Sequence, residues 1–150
     1  MPELSQVPEL SQVYASTVRA VIDSVPDVMD GEWGSREWLR IVVNFESLLH
    51  TNEPRISDIS FAVARLPEQS LEIVDFRLSR KAKDGFAHLA NVMFTRSGDY
   101  WTVCDLVIDR DDAYRYGFSY EKPYRLDGNL HDTRFDDYLK RYLAERNDHA

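Results

Sequence analysis

The sequence has few of the residues that bind metals, form disulfides or hold nucleotides. It contains one cysteine, Cys104, in 150 residues, so an internal disulfide framework is excluded. With no cysteine pair and no H-E-x-x-H motif, the common zinc spacings are missing. The chain also lacks a G-x-x-x-x-G-K-[ST] or G-x-G-x-x-G phosphate loop and a G-x-S-x-G elbow. The best-known signatures of nucleotide binding and serine hydrolysis are therefore absent.

Long apolar runs are missing as well. None approaches the roughly 18–20 residues that span a bilayer. Residues 1–7 carry an acid and no basic cluster, unlike a signal or transit peptide. These features predict a cytoplasmic protein with no membrane partner. Its length and its 43% hydrophobic residues fit one domain over residues 1–150, with residues 1–8 flexible and a frayed tail over 147–150.

Basic residues are outnumbered. The chain has 26 acidic residues against 18 Lys plus Arg, a net charge of -8, and residues 1–75 hold 13 of the acids with only five Arg. A nucleic-acid binder normally carries a basic stripe, so we expect no nucleic-acid partner. Solubility alone accounts for such a charge, but an acidic surface also steers a basic protein partner. The densest acidic patch surrounds Trp33 and consists of Asp23, Asp27, Asp30, Glu32 and Glu37.

The hydrophobic pattern predicts an α+β domain of element order α-βββ-α-ββ-α. Helical spacing starts near a duplicated PELSQV hexapeptide and recurs over 80–94, between a cap at Ser79 and a break at Ser97-Gly98-Asp99. It returns after a cap at Asp132 or Thr133. Alternation predicts strands over 38–46, 58–66, 71–78, 100–109 and 113–120, although the third could instead begin a helix. Strands in runs, without regular βα alternation, favour an antiparallel sheet of about five strands packed against helices.

Three features have both a chemical and a structural interpretation. Cys104 lies in mid-strand, which is typical of a small core residue and not of a nucleophile. His131 beside Asp132 fits helix capping better than metal chemistry. A carboxylate group around the predicted hairpin could bind a divalent metal, but a polar turn gives the same pattern. That group comprises Asp105, Asp109, Asp111, Asp112 and Glu121. We therefore predict no catalytic residues, no metal and no cofactor, and do not expect an enzyme.

Aromatic side chains mark two further places. Tyr114, Tyr116, Phe118 and Tyr120 share one face of the last predicted strand, and the opposite face is small or polar. The acid excess favours a core face there over a base-stacking platform. Trp33, between two glycines in an acidic loop, is either an interface anchor or a residue that folds back onto the core.

The second half of the chain contains a series of aromatic motifs. Residues 86–94 read F-A-H-L-A-N-V-M-F, residues 98–101 read G-D-Y-W, and residues 118–121 read F-S-Y-E, which fits F-x-Y-[DE]. This series resembles the YezG-like immunity proteins of bacterial polymorphic toxin systems. The family's acidic-Gly turn is matched by R-D-D at 110–112, without the glycine. The resemblance covers about residues 80–125, together with the layout of a leading and a closing helix.

The resemblance implies a non-enzymatic role in contact-dependent growth inhibition. Such a protein binds and blocks a cognate toxin domain, often a nuclease, inside the cell that makes it. A nuclease needs a basic cleft, which an acidic inhibitor complements. The predicted partner-binding residues are Asp27, Asp30, Glu32 and Trp33, followed by Asp109, Asp111 and Asp112. The alternatives are an adaptor or regulatory module for another cytoplasmic protein and, less favoured, a metal-dependent enzyme that uses the hairpin carboxylates.

Overall fold

A five-stranded antiparallel sheet organises the chain. The structure is a computed structural model that describes residues 2–49 and 51–148. The strands are β1 (Glu37–Ser47), β2 (Ile56–Arg65), β3 (Leu71–Asp75), β4 (Val103–Asp109) and β5 (Tyr114–Ser119), in the sheet order β3-β2-β1-β4-β5. The helices are α1 (Pro2–Ser24), α2 (Arg80–Ser97) and α3 (Tyr138–Asp148). The predicted α+β class and element order are confirmed. No helix within the described ranges combines the length and apolarity needed to cross a membrane.

One face of the sheet, the helical face, packs against α1 and α2. Ile41, Val43 and Phe45 of β1 point to this face and are fully buried, because alternate residues of a strand share a face. Phe45 stacks on Phe86 of α2 with ring centroids 4.6 Å apart. Cys104 is fully buried in the same core, and burial raises the pKa of its thiol well above the ordinary value. The prediction that Cys104 is a core residue is confirmed.

Helices α1 and α2 approach each other closely. A Cβ atom placed on Gly85 would lie 2.7 Å from Oγ1 of Thr17, which explains a glycine in a helix interior. Ser79 caps α2 as predicted, since its Oγ accepts the N–H of Ala82 at 3.1 Å. The N–H of Ser79 itself donates to Oγ of Ser24, at the end of α1, at 3.0 Å. The two helices are thus connected at this end as well as packed together.

The opposite face of the sheet is covered by the C-terminal segment, residues 121–148. Phe61 and Val63 of β2 point to this face, and Phe61 meets the ring of Tyr138 edge-on, with centroids 5.1 Å apart. The prediction that Asp132 or Thr133 caps the last helix was wrong, because α3 begins at Tyr138. The Asp132 carboxylate instead pairs with arginines, as described below. The predicted frayed tail extends into residues 149–150, which lie outside the described residues.

Three strands are shorter than predicted: β3 and β4 by three residues each, and β5 by one residue at each end. β3 ends at Asp75, and the next residue, Phe76, forms an isolated bridge with Val28. β4 begins at Val103, although the preceding Thr102 still accepts the N–H of Ser47 and donates its own N–H and its hydroxyl to the carbonyl of Ser119. Neither limit is visible in the hydrophobic pattern, since both depend on distant partners.

The aromatic face of β5 is only partly a core face. Tyr116 and Phe118 are half-buried against the helical core, and the Tyr116 ring stacks on Tyr14 of α1 at 4.6 Å. Tyr114 and Tyr120 are exposed by 39% and 47%. The prediction of a packed aromatic face therefore holds for the middle of the strand and fails at its two ends. Burial raises the pKa of the Tyr116 hydroxyl above its usual value.

Candidate functional site

Most of the predicted partner-binding residues lie at one end of the sheet. β1, β3 and β5 begin there, and β2 and β4 end there, as the pairs Glu37–Arg65 and Arg40–Asp109 show. The loop 26–36 runs along the outside of β3, from its far end, where Met29 bonds to Asp75, to this end, where Arg36 pairs with Glu72. The turn 110–113 lies at this end between β4 and β5. Neighbouring strands lie about 4.8 Å apart, so the two acidic segments are separated by roughly 20–25 Å. One partner surface of standard size, about 800 Å², covers both.

The loop presents two uncompensated carboxylates. Asp30 and Glu32 are exposed and form no ion pair with any residue that the structure describes. Gly31 and Gly34 adopt left-handed φ angles of 77° and 63°, which lets the chain turn twice within this short segment. Arg36 holds the loop in place, since its guanidinium pairs with Glu72 of β3 at 2.5 Å and donates to the carbonyl of Glu32.

Asp27 lies apart from these carboxylates. It sits beyond the far end of β3, where its carboxylate pairs with Arg77 at 3.0 Å and its carbonyl accepts the N–H of Arg77 at 2.9 Å. Its charge is therefore compensated within the chain, unlike those of Asp30 and Glu32.

Trp33 both packs onto the core and remains partly accessible, so it fits each of the two interpretations given for it, a core residue and an interface anchor. The ring packs against the helical core and against a small cluster of Val28, Ala64 and Val74. Part of the side chain stays accessible, because its residue is only half-buried. Trp33 thus fixes the loop to the sheet and still offers an aromatic edge beside the two free carboxylates.

The hairpin turn also divides into paired and free acids. Asp109 accepts hydrogen bonds from Arg40 at 2.6 Å and from Arg115 at 3.2 Å. Asp111 and Asp112 are exposed, and within the described ranges neither has an ion-pair partner. The Asp111 carboxylate accepts only the N–H of the nearby residue 113. Among the residues that the structure describes, no group of three His, Cys, Asp or Glu is arranged to hold a metal ion.

Ion pairs neutralise the surface between the two acidic segments. Glu37, at the start of β1, pairs with Arg65 at 3.1 Å and with Arg110 of the turn at 3.3 Å. Arg110 also lies over the Trp38 ring, 5.4 Å from its centroid. We call the four free carboxylates Asp30, Glu32, Asp111 and Asp112 the acidic end. They flank a middle strip whose charges are compensated.

Sequence reasoning missed a buried ionic cluster under the C-terminal segment. Glu46 is 0% exposed, and its carboxylate accepts the N–H groups of residues 124, 125 and 126 at 3.2, 3.0 and 2.9 Å. The buried Arg125 guanidinium bonds to Asp132 at 2.9 Å and to the carbonyl of Asn44 at 3.0 Å. We call Glu46, Arg125, Asp132 and Arg134 the Glu46 cluster. The signal that could have found it is a glutamate in a central, otherwise apolar strand.

Asp132 is the most strongly perturbed acid of this cluster. Hydrogen bonds from Arg134, at 2.6 and 2.9 Å, lower the pKa of the Asp132 carboxyl far below its usual value. Burial opposes this effect, and the bond from Arg125 adds to it. The carboxylate is thus held ionised by its two arginines.

A polar cleft of about 420 Å³ opens beside the Glu46 cluster. Asn44 and Asp105 of the sheet line it from below, and Asn44 Nδ2 donates to Asp105 Oδ1 at 2.6 Å. Lys122, Tyr124 and Arg134 line it from the C-terminal segment, together with Asp127 and Asn129. None of these residues except Asp105 figured in the sequence-based candidates, because they become neighbours only in the folded chain.

Comparison of the chain with models of protein families and with curated proteins finds no match. The resemblance to YezG-like proteins therefore rests on the aromatic motifs. In the structure Trp101 is 1% exposed and meets Phe45 edge-on, and Phe118 is half-buried beside it. These residues of the motifs therefore serve packing in this chain.

Proposed function

We propose that this protein is an intracellular immunity protein that binds and neutralises a cognate bacterial toxin domain, a nuclease, through its acidic end. One observation carries the proposal. Four carboxylates of the acidic end are exposed and form no ion pair with any described residue, whereas Glu37 and Asp109 between them, and the more distant Asp27, are compensated by arginines. Free charges gathered at one end produce a field that paired charges do not.

Electrostatics explains why such a surface suits a nuclease. The active cleft of a nuclease must attract phosphates and is therefore basic. Exposed carboxylates accelerate the encounter with a basic surface by about ten- to a thousandfold at low salt. Trp33 adds a large aromatic contact beside Asp30 and Glu32, and aromatic residues of this kind often dominate binding energy.

The first experiment identifies the partner and its effect. The tagged protein is used to capture binders from a lysate of its own source cells, and the captured proteins are released by a salt series and identified by mass spectrometry. We expect one basic protein with a toxin domain, released as salt rises. Co-expression should then protect cells from that domain. A housekeeping partner, with no protection, would favour the adaptor alternative and contradict the proposal.

The second experiment tests the acidic end with purified partner. Neutralising its four carboxylates should lower the association rate about tenfold at low salt and flatten the salt dependence. The variant is Asp30→Asn, Glu32→Gln, Asp111→Asn and Asp112→Asn. The matched control removes the same charge from exposed positions elsewhere, by Glu53→Gln, Asp84→Asn, Asp99→Asn and Asp136→Asn. Equal effects of the two variants would show that only net charge matters and would refute the assigned surface.

The contacts of Asp109 weigh against the alternative of a metal-dependent enzyme that uses the hairpin carboxylates. Asp109 would be the metal ligand or general base of the hairpin, but its two oxygens accept hydrogen bonds from Arg40 and Arg115. Arg40 also bonds to Glu145 of α3 at 2.8 Å. Asp109 thus helps to hold the C-terminal helix on the sheet, and this role supports the binding proposal over hairpin catalysis.

A further inference from the structure

The polar cleft carries exposed charges of both signs, Asp105 and Lys122 among them. We propose that it binds a small zwitterion, a molecule with one ammonium and one carboxylate group, such as a free amino acid. The ammonium would lie against Asn44 and Asp105, and the carboxylate against Lys122. The proposal is independent of toxin binding, because Asn44 lies towards the end of β1 that is opposite to the acidic end.

The floor of the cleft is built to accept hydrogen bonds from a cation. Asn44 is 2% exposed, and its Nδ2 donates to Asp105 Oδ1 at 2.6 Å, which fixes the position of the Asp105 carboxylate. Asp105 is exposed and has no ion-pair partner among residues 2–49 and 51–148, so its charge is available to an ammonium.

The wall of the cleft supplies the opposite charge. Lys122 is exposed, and no described residue forms an ion pair with it. Arg134 is fixed, since it pairs with Asp132 at 2.6 Å and stacks over Tyr124 at 4.1 Å from the ring centroid. Because Arg134 is already paired with Asp132, Lys122 supplies the positive charge for the carboxylate of a ligand.

The mixture of charges selects the ligand class. A simple anion is repelled by Asp105 and Asp127, and a simple cation is repelled by Lys122. A zwitterion meets both signs favourably. The volume of about 420 Å³ is near the lower end of the roughly 300–1,000 Å³ typical of ligand sites, which favours a small molecule.

Calorimetric titration of the whole protein tests the proposal. The standard amino acids are compared at millimolar concentrations with ethylamine and acetate, which carry one charge each. We expect at least one amino acid to bind about tenfold or more tightly than either single-charge compound. Asp105→Asn retains an acceptor for Asn44, and Lys122→Gln retains a polar chain. Each variant should weaken binding about tenfold.

Asp84→Asn is the matched control, because it removes one exposed carboxylate on α2, which packs on the other face of the sheet. It should leave amino-acid affinity unchanged, and all three variants should unfold at the wild-type temperature. Failure of every amino acid to bind would overturn the proposal. So would equal binding of ethylamine or acetate, or an equal affinity of wild type and Asp105→Asn.

Discussion

The contact between Gly85 and Thr17 gives the sharpest test of the helix packing. In an isolated helix, Gly→Ala is stabilising by about 1 kcal/mol. Here the new Cβ would lie 2.7 Å from Oγ1 and 3.3 Å from two carbons of Thr17. Thr17 is 1% exposed, so it cannot swing into solvent. Overpacking of this kind costs about 1–3 kcal/mol. We expect Gly85→Ala to lower the free energy of unfolding by about 1–2 kcal/mol, because the clash outweighs the propensity gain.

A double-mutant cycle separates the clash from the helix propensity. Thr17→Ala removes Oγ1 and Cγ2, two of the three Thr17 atoms nearest to the new Cβ of residue 85. Gly85→Ala in that background should therefore become stabilising by up to about 1 kcal/mol. The coupling energy should be about 2 kcal/mol. Urea unfolding followed by circular dichroism measures all four proteins. A stabilising effect of Gly85→Ala in the wild-type background, or a coupling energy within error of zero, would refute the packing argument.

Three further predictions concern the core and the Glu46 cluster. Because the pKa of Asp132 is lowered in the folded state, its contribution to stability is complete above the unfolded pKa of about 3.9 and is lost as the pH falls below it. The stability difference between wild type and Asp132→Asn should therefore shrink on acidification, as urea titrations at several pH values would show; a constant difference would contradict this. Glu46→Ala should lower the free energy of unfolding by about 3–5 kcal/mol, since it leaves three N–H groups and Arg125 without their buried partner; thermal and urea unfolding measure it, and a loss below about 1 kcal/mol would contradict the buried geometry. Cys104 should react with a thiol reagent only in denaturant, and rapid labelling of the native protein would disprove its burial.

Local patterns predicted the elements well. Alternation marked all five strands, and Ser79 with Gly98 marked both ends of α2, because capping depends on residues a few positions away. The start of α3 was missed for the opposite reason. Asp132 has the composition of a helix cap, but its carboxylate is taken by Arg125 and Arg134, and no local pattern reveals such competition.

The candidate site was predictable in position and not in detail. Clustering of acids in the sequence pointed to the loop and the hairpin turn. Which of these charges are free depends on contacts between distant residues: Asp27 meets Arg77, fifty positions later, and Asp109 meets Arg40, 69 positions earlier. Sequence alone weighted Asp27 and Asp30 equally, whereas the fold compensates one charge and leaves the other exposed.

The Glu46 cluster also constrains the order in which the chain can mature during synthesis. Glu46 lies in the central strand, but the N–H groups that donate to its carboxylate are 78 to 80 residues further along the chain. Until those residues leave the ribosome, the Glu46 carboxylate must stay hydrated, and the face of the sheet that carries it stays exposed to water. The C-terminal segment can therefore cover this face only after nearly the whole chain has been released. A nascent chain stalled before residue 124 should remain sensitive to proteases even though all five strands have been synthesised.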